Sequence, residues 1–402
     1  MLCTSPSRDT ASRHLGSSTM TRNGSTATCR PSARSPRTMR SCWRATPTRR
    51  RAASGTAPRL TEKRRKRAEG KTVKDHQFCF GILGCGMIAG IHAEAIGSIP
   101  EAVLAGVADA NAERERAFAA QRGVHAYESY DQMLSDPQLD VICICTPSGF
   151  HAENALAALR HGKHVVLEKP MALSAKSADE IVAACAQAGK LLTVISQLRF
   201  SEDVQRVRAL LAENALGRLT LCSLYMKYHR SVEYYASSPW KGTKAFDGGG
   251  ALMNQGIHGV DLLEYIVGPI KAVTGKARTL SHRIEVEDTA VAMLEFENGA
   301  LGVIEASTCA YPGFERRIEL HGDKGYIMLK NNQIEKMMVN GEEFSAEVAD
   351  AGTSSDPGAL HCEMHRRQIQ NLLAAIRGEE ELVVDANEGR KAIRVIEAVY
   401  RA

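Results

Sequence analysis

From Gln77 onward, short apolar runs alternate with segments whose apolar residues recur at helical spacing. The runs predict strands at 77–83, 102–108, 141–145, 164–167 and 191–195. The segments between them predict helices at 87–98, 111–121, 150–161 and 174–188. Val141-Ile142-Cys143-Ile144-Cys145 is apolar at every position, as in a parallel strand covered on both faces. Residues 76–197 are therefore predicted to form an α/β domain with a doubly wound parallel sheet.

After about Gln197 the pattern changes to longer strands and fewer helices. Helices are predicted near 201–212, 251–266, 361–377 and 388–401, and strands near 218–230, 271–279, 288–296, 300–308, 315–320 and 325–329. Asn298-Gly299 lies between two of these strands and is a strong hairpin signal. Residues 198–402 are therefore predicted to form an α+β domain with a mostly antiparallel sheet.

Residues 1–75 are rich in Arg, Ser and Thr and have no sustained hydrophobic period, so they are predicted to be disordered. Their composition resembles an organelle transit peptide. Lys63-Arg64-Arg65-Lys66-Arg67 resembles a nuclear localisation run, and such a segment also suits an acidic partner. We favour a fourth interpretation, in which a wrongly placed start codon adds non-native sequence and the native start lies near Val73.

Charge is divided unevenly along the chain. Residues 1–75 hold 19 Lys/Arg and 4 Asp/Glu, a net charge of +15, whereas the whole chain carries +5, so the remainder carries −10. An acidic folded body argues against nucleic-acid binding. The 11 cysteines are scattered with no Cys-x-x-Cys pair, which indicates a reduced, cytoplasmic protein. No apolar run reaches the roughly 18 residues of a membrane span, so no membrane role is expected.

A glycine-rich turn, Gly84-Cys85-Gly86-Met87-Ile88-Ala89, follows the first predicted strand and opens the next helix. Gly84 allows the tight turn, Gly86 lets backbone N–H groups approach a pyrophosphate, and the small Ala89 permits close packing of helix on strand. The helix N-terminus adds partial positive charge. The turn therefore predicts dinucleotide binding, with Met87 and Ile88 also at the cofactor.

Other predicted cofactor residues follow two further strands. Asp109 can accept hydrogen bonds from the adenosine ribose and would repel a 2′-phosphate, which favours NAD over NADP. Arg114 lies nearby and could bind a 2′-phosphate, so NADP is the alternative cofactor. The alternative role of Asp109 is to cap the next helix. Thr146 and Pro147 are predicted to lie beside the cofactor. His151 is placed there too, although it also suits a local structural donor.

Glu168-Lys169-Pro170 follows the strand predicted at 164–167. Charge at this strand end needs a reason, because ligands of open α/β sheets bind at the same edge. An ammonium beside bound NAD⁺ would have its pKa lowered by like charge and partial burial. Lys169 is therefore a candidate to bind the substrate hydroxyl and transfer its proton, with Glu168 beside it at the cofactor. A surface pair of the two residues is the alternative.

A second group of polar residues lies in Gly248-Gly249-Gly250-Ala251-Leu252-Met253-Asn254-Gln255-Gly256-Ile257-His258. Asn254 and His258 are four apart on a predicted helix, and Asp261 follows on the same face. His258 is a candidate proton-transfer group. Asn254 would orient a sugar hydroxyl, and Asp261 would hold the imidazole tautomer. A buried structural histidine is the alternative, and no ligand cluster supports a metal site.

The glycine turn, the Glu-Lys-Pro run and the segment ending in His258 together resemble the Gfo/Idh/MocA oxidoreductase family over about 76–402. The resemblance implies a Rossmann-type NAD-binding domain followed by a substrate domain, and a homodimer or homotetramer formed through the exposed sheet face. In the family, the lysine and histidine at positions 169 and 258 act on the reacting carbinol. Residues 1–75 have no counterpart in the family.

One branch of the family is similar in more detail. Asn254, where many relatives have Asp, resembles the UDP-N-acetyl-2-amino-2-deoxyglucuronate dehydrogenases, which oxidise a sugar C3 hydroxyl. Asp247 and Trp240-Lys241-Gly242 also resemble that branch. Trp240 is a candidate to stack on a sugar and Tyr311 to lie in a substrate loop. The remaining substrate candidates are cations that would meet phosphates or a carboxylate: Arg199, Lys227, Lys241 and Arg317.

These features predict an NAD-dependent oxidoreductase that acts on a secondary alcohol of a sugar or nucleotide sugar. A glycosidase-like enzyme that oxidises C3 transiently and then eliminates the aglycone is the alternative. A cofactor sensor without turnover is a third hypothesis, which intact Lys169 and His258 disfavour.

Overall fold

The computed structural model describes residues 76–348 and 362–402. The predictions for residues 1–75 therefore lie outside the described residues. A sheet of six parallel strands forms first, in the order β3-β2-β1-β4-β5-β6. Its strands are β1 (Phe78–Leu83), β2 (Ala102–Ala108), β3 (His125–Ala126), β4 (Val141–Ile144), β5 (His164–Leu167) and β6 (Leu192–Val194). β4 is buried at every position, as its unbroken apolar sequence requires.

Helices on both faces of this sheet connect its strands. They are α1 (Met87–Gly97), α2 (Ala112–Arg122), α3 (Tyr130–Ser135), α4 (His151–Arg160) and α5 (Ala175–Ala188). Asn111 caps α2 by accepting from the N–H groups of Glu113 and Arg114, and Ser174 caps α5. The strand order is that of a Rossmann fold, so the predicted doubly wound sheet is confirmed.

The second sheet has eight strands in the order β14-β13-β12-β11-β7-β10-β9-β8. They are β7 (Leu219–Lys227), β8 (Ile270–Arg278), β9 (Thr289–Phe296), β10 (Leu301–Ser307), β11 (Arg317–Gly322), β12 (Tyr326–Lys330), β13 (Gln333–Val339) and β14 (Glu342–Ser345). All neighbours are antiparallel except β7 and β10. The mostly antiparallel sheet is thus confirmed, as is the hairpin at Asn298-Gly299, where Gly299 has φ +87°.

Five helices accompany this sheet. They are α6 (Glu202–Ala212), α7 (Val232–Ala236), α8 (Ile257–Val267), α9 (Glu363–Ile376) and α10 (Ala386–Arg401). α9 packs against α1, and its Ile369, Leu372 and Leu373 join the core under the parallel sheet. α10 packs against α5, α8 and β8. The C-terminal helices therefore hold the two sheets together around the loops that follow β5 and β6.

The structure adds elements that the sequence pattern does not predict: β3, α3, α7, β13 and β14. It also divides the helix predicted at 251–266, because Ala251–Gly256 forms a π-helical turn before α8 begins. Within the two described stretches, no helix combines the length and apolar character of a membrane span.

Candidate active site at the edge of the parallel sheet

The carboxyl ends of four neighbouring strands bring the predicted cofactor residues into one row. Along the order β2-β1-β4-β5, the strands are followed by Asp109, Gly84, Thr146 and Glu168. Open α/β sheets bind dinucleotides at this edge. Asp109 lies at one end of the row, and Glu168, followed by Lys169, lies at the other.

The glycine turn has the geometry that a pyrophosphate needs. Gly84 has φ +95°, and a Cβ atom there would lie 2.8 Å from the carbonyl oxygen of Cys145, so only glycine fits. A Cβ added at Gly86 would meet nothing within 4 Å, which leaves open space in front of α1. No side chain caps α1, and Met87 is 68% exposed. The uncapped N–H groups and the open cradle fit a dinucleotide phosphate.

Asp109 joins the glycine turn to β2. Its Oδ2 accepts from the N–H of Cys85 at 2.7 Å and its Oδ1 from the N–H of Asn111 at 2.7 Å. The cap of α2 is Asn111, so the alternative role of Asp109 as that cap is wrong. Arg114 Nη1 lies 3.6 Å from Asp109 Oδ2. The carboxylate thus stands where a 2′-phosphate would be repelled.

His151 supports two loops of this edge. Its Nδ1 lies 2.7 Å from the carbonyl oxygen of Pro170 and its Nε2 lies 2.8 Å from that of Thr146. The ring is buried, and burial lowers its pKa despite these two contacts. His151 therefore positions the loops after β4 and β5, and any effect on the cofactor acts through them.

Lys169 reaches from the parallel sheet to the second half of the chain. It follows β5, its bond to Pro170 is cis, and its Nζ donates to the backbone oxygen of Asn254 at 2.9 Å. Burial lowers the pKa of Lys169, the charge of Arg230 lowers it further, and nearby carboxylates oppose both effects. The amine is therefore easier to deprotonate than that of an exposed lysine.

His258 stands in the first turn of α8 and shares a cavity of about 540 Å³ with Lys169. The residues that line the cavity include Lys169, Arg230, Asn254, His258, Arg316 and His365. Burial, and then the charge of Lys169, bring the pKa of His258 well below its ordinary value. Its imidazole is therefore neutral at neutral pH, which leaves it one nitrogen to accept a proton.

Asn254 lines the cavity beside Lys169, and its side chain is bonded to Asp247. The side-chain amide of Asn254 donates to Asp247, whose other oxygen accepts from the N–H of Gly242 at 2.6 Å. Burial raises the pKa of Asp247 to about 6, although these hydrogen bonds and the charge of Lys169 oppose the change. Asp247 is thus a titratable group close to Lys169.

Arg199 and Asp261 form a bidentate ion pair, and Asp261 also lines a small cavity with Lys169 and His258. Arg199 is 2% exposed, and its Nε and Nη2 donate to the two carboxylate oxygens of Asp261 at 2.9 and 2.7 Å. Its Nη1 donates to Glu388 at 2.9 Å. Asp261 does not hold the imidazole of His258, and Arg199 does not line the cavity. The pair joins the loop after β6 to α8 and α10, which gives both residues a structural role.

Other predicted substrate residues also lie away from the cavity lining. Trp240 is half-buried, and its carbonyl oxygen accepts from the hydroxyl of Thr243. Tyr311 is 81% exposed and its ring packs edge-on against His229. The remaining cations have partners elsewhere: Lys227 pairs with Glu305, Lys241 bonds to Ser237, and Arg317 pairs with Glu335.

Two groups of side chains in the described parts of the chain bring three ligand-type atoms within 4.8 Å of one another: His92, Glu168 and His365, and His282, Asp288 and Cys309. In the first group, His92 Nε2 bonds to Glu168 Oε1 at 2.7 Å. Burial raises the pKa of Glu168, but the hydrogen bond and charge of His92 outweigh it and lower the pKa to about 2. The group therefore holds Glu168 ionised next to Lys169.

Comparisons with known proteins agree with this geometry. The family model described as an oxidoreductase family with an NAD-binding Rossmann fold matches residues 78–196, and the GFO/IDH/MocA C-terminal domain matches residues 204–328. The chain is 32% identical to the WlbA dehydrogenase from Bordetella pertussis, solved with NADH and UDP-GlcNAcA. That match covers 81% of this chain and 95% of the other, with a TM-score of 0.73. The chain belongs to the Gfo/Idh/MocA oxidoreductase family.

Curated members of the Gfo/Idh/MocA family give the same result. An uncharacterised oxidoreductase of Bacillus subtilis is 28% identical, over 81% of this chain and 94% of that protein. The myo-inositol 2-dehydrogenase of Thermotoga maritima is 27% identical, over 78% of this chain and 92% of that protein. The predicted family, NAD as cofactor and oxidoreductase activity are confirmed, and dehydrogenase relatives do not favour the glycosidase alternative.

Most of the cavity lining of this Gfo/Idh/MocA member was not predicted from sequence, including Arg230, Arg316 and His365. Arg316 precedes Arg317, and alternation of side chains along a strand would have placed the two on opposite faces. His365 lies in α9, which is far in sequence from the parallel sheet but packs against its helix α1. No local sequence pattern predicts this packing, so none indicates His365 as a cavity residue.

Proposed function

We propose that this chain transfers a hydride between a secondary alcohol carbon of a sugar and nicotinamide, with Lys169 and His258 handling the hydroxyl proton. The supporting observation is that both side chains line one cavity of about 540 Å³ beside the cofactor edge. A single hydroxyl in this cavity is within reach of an amine from one half of the chain and an imidazole from the other.

Bound at the sheet edge, NAD⁺ supplies the hydride acceptor. Lys169 binds the substrate hydroxyl and accepts its proton, which its lowered pKa favours. His258, neutral because its own pKa is lowered, donates its ring N–H to the oxygen of the same hydroxyl and orients it. The backbone oxygen of Asn254 accepts a hydrogen bond from the Nζ of Lys169. Asn254 therefore fixes the position of the nitrogen that receives the substrate proton.

The test is a panel of UDP-sugars, free sugars, polyols and glycosides, incubated with NAD⁺ and followed at the NADH absorbance band. At least one sugar should give NADH, and His258→Asn should lose about 10²-fold in kcat. The matched control is His125→Asn at an exposed histidine, which should keep full activity. Product masses showing loss of the aglycone without net NADH would contradict this proposal and favour the glycosidase alternative.

We infer that a nucleotide sugar is the leading substrate candidate. The WlbA dehydrogenase, whose structure holds UDP-GlcNAcA, covers most of the chain at 32% identity. In the panel, UDP-GlcNAcA and UDP-GlcNAc should therefore give higher kcat/KM values than the free sugars. Equal values for the free sugars would contradict the nucleotide requirement.

We also propose that the chain forms a homodimer or homotetramer through the outer face of the eight-stranded sheet. Leu221, Val291, Met293 and Leu301 are exposed on this face, and Leu301 pairs in register with Leu221. Contiguous exposed apolar side chains mark interaction surfaces. Light scattering should give a dimer or tetramer mass, and Met293→Glu should lower it.

We propose a reducing, cytoplasmic location, since all eight described cysteines are free thiols. We also propose functional units at 76–197 and 198–402, with α9 packed back onto the first. Expression of 76–197 alone would test the boundary, and it should fold poorly because α9 completes its core.

A further inference from the structure

One wall of the active-site cavity carries a buried cation that no described side chain of the protein neutralises. Arg316 is 8% exposed, and its Nε is fully buried with no hydrogen-bond partner. Within residues 76–348 and 362–402, no side chain forms an ion pair or hydrogen bond with its guanidinium. By contrast, the cavity arginine Arg367 is paired with both Glu202 and Glu363 at 2.9 Å.

Arg316 lies directly beside the proposed reaction centre. A Cβ atom added at Gly259, the residue after His258, would lie 3.1 Å from the Arg316 Cδ. The charge of Arg316 also contributes to lowering the pKa of His258, after burial and Lys169. An anion that meets this guanidinium must therefore belong to the part of the substrate next to the reacting carbon.

Two further cations line the same cavity. Lys169 and Arg230 line it with Arg316, and Arg230 is close enough to lower the pKa of Lys169. A buried guanidinium without a partner is costly, and a planar oxyanion that accepts two parallel hydrogen bonds from it removes that cost. A neutral polyol would leave the charge uncompensated.

We propose that the substrate carries an anionic oxygen group on the sugar ring itself, a carboxylate or a phosphate ester, and that Arg316 binds it. This inference rests on the proposed sugar oxidoreductase function and adds the charge of its substrate. Arg316 thereby determines specificity, by selecting acidic sugars over neutral sugars of the same shape.

The experiment compares matched neutral and acidic sugars on the full chain. The probes are UDP-GlcNAc against UDP-GlcNAcA, and glucose against glucuronate and glucose 6-phosphate. The wild-type kcat/KM should favour an acidic member roughly 10- to 100-fold, and the better acid identifies carboxylate or phosphate. Arg316→Gln should remove this preference, because it should raise KM for the acid more than KM for the neutral sugar.

Arg367→Gln is the matched control, because Arg367 is already paired, and it should keep the wild-type preference. Arg316→Lys keeps the charge without the planar fork and should retain part of the preference. If a melting curve shows that Arg316→Gln is unfolded, Arg316→Lys replaces it in the comparison of acidic and neutral sugars.

Equal turnover of neutral and acidic sugars by the wild type would overturn this inference and leave the proposed function intact. So would an equal loss on both sugars in Arg316→Gln and Arg316→Lys. If no sugar gives NADH, the proposed function fails instead. Calorimetric titration with glucuronate then tests Arg316 separately, because binding should weaken in Arg316→Gln but not in Arg367→Gln.

Discussion

The Nζ of Lys169 donates to the backbone oxygen of Asn254 at 2.9 Å and so joins the loop after β5 to the turn that leads into α8. His258 begins the same helix, so this one hydrogen bond sets the position of the amine relative to the imidazole. Loss of the amine removes a proton-transfer group without touching the glycine turn.

We therefore expect Lys169→Met to lower kcat by about 10²- to 10⁴-fold while NADH binding changes little. Fluorescence titration with NADH and steady-state kinetics would measure the two quantities separately. Lys176→Met, at an exposed lysine of α5, is the matched control. Full activity in Lys169→Met would remove Lys169 from the catalytic assignment.

Gly86 allows cofactor binding to be separated from folding. A Cβ added there meets nothing within 4 Å, so Gly86→Val should fold with an unchanged melting temperature. Its side chain would occupy the space in front of the α1 N-terminus, and NADH affinity should fall by 10-fold or more. Gly97→Ala, also in open space but at the far end of α1, should bind NADH normally. Unimpaired NADH binding in Gly86→Val would place the pyrophosphate elsewhere.

Asp109 should determine the preference for NAD over NADP. Asp109→Ser removes the carboxylate that we expect beside the adenosine ribose and leaves Arg114 without this partner, free to meet a 2′-phosphate there. We expect the ratio of kcat/KM for NADP to that for NAD to rise by about 10-fold or more. Asp109→Asn keeps the shape and should give a smaller rise. A constant ratio in both variants would show that another residue reads the ribose.

Asp247 should influence the pH dependence through Lys169. Its carboxylate raises the pKa of Lys169 against burial, so Asp247→Asn should lower that pKa further. In alcohol oxidation the rate rises as the amine loses its proton. The acidic limb of the kcat/KM profile should therefore move to lower pH, by up to about one unit. Glu153→Gln, at an exposed acid of α4, should leave the limb in place. A shift of the acidic limb to higher pH in Asp247→Asn would contradict the assignment of Lys169 as the proton acceptor.

Local patterns were enough to predict much of this fold and the convergence of its chemistry. The glycine turn, Lys169 and His258 each follow a recognisable element, and parallel strands place their carboxyl ends on one edge. Strands as short as β3 and β14, with 2 and 4 residues, carry too few alternating residues for a pattern to appear.

The substrate contacts depend on tertiary packing that local patterns do not contain. Asp261 shares a helix face with His258, as the sequence predicts. Its carboxylate, however, is bound by the guanidinium of Arg199, which lies in the loop after β6. Arg316 and Arg317 are adjacent and equally cationic in sequence, yet one lines the cavity and the other pairs with Glu335 on the sheet.

Arg199 should contribute to stability and not to substrate binding. It is bidentate to Asp261, bonded to Glu388 and packed on the ring of Tyr265. Arg199→Met leaves buried carboxylate charge without its partner, so the free energy of unfolding should fall by about 3 kcal/mol or more. The double variant Arg199→Met/Asp261→Leu removes both charges and should be more stable than the single one. Urea denaturation measures these differences, with Arg160→Met at an exposed arginine as control. A raised KM without loss of stability would instead return Arg199 to the substrate site.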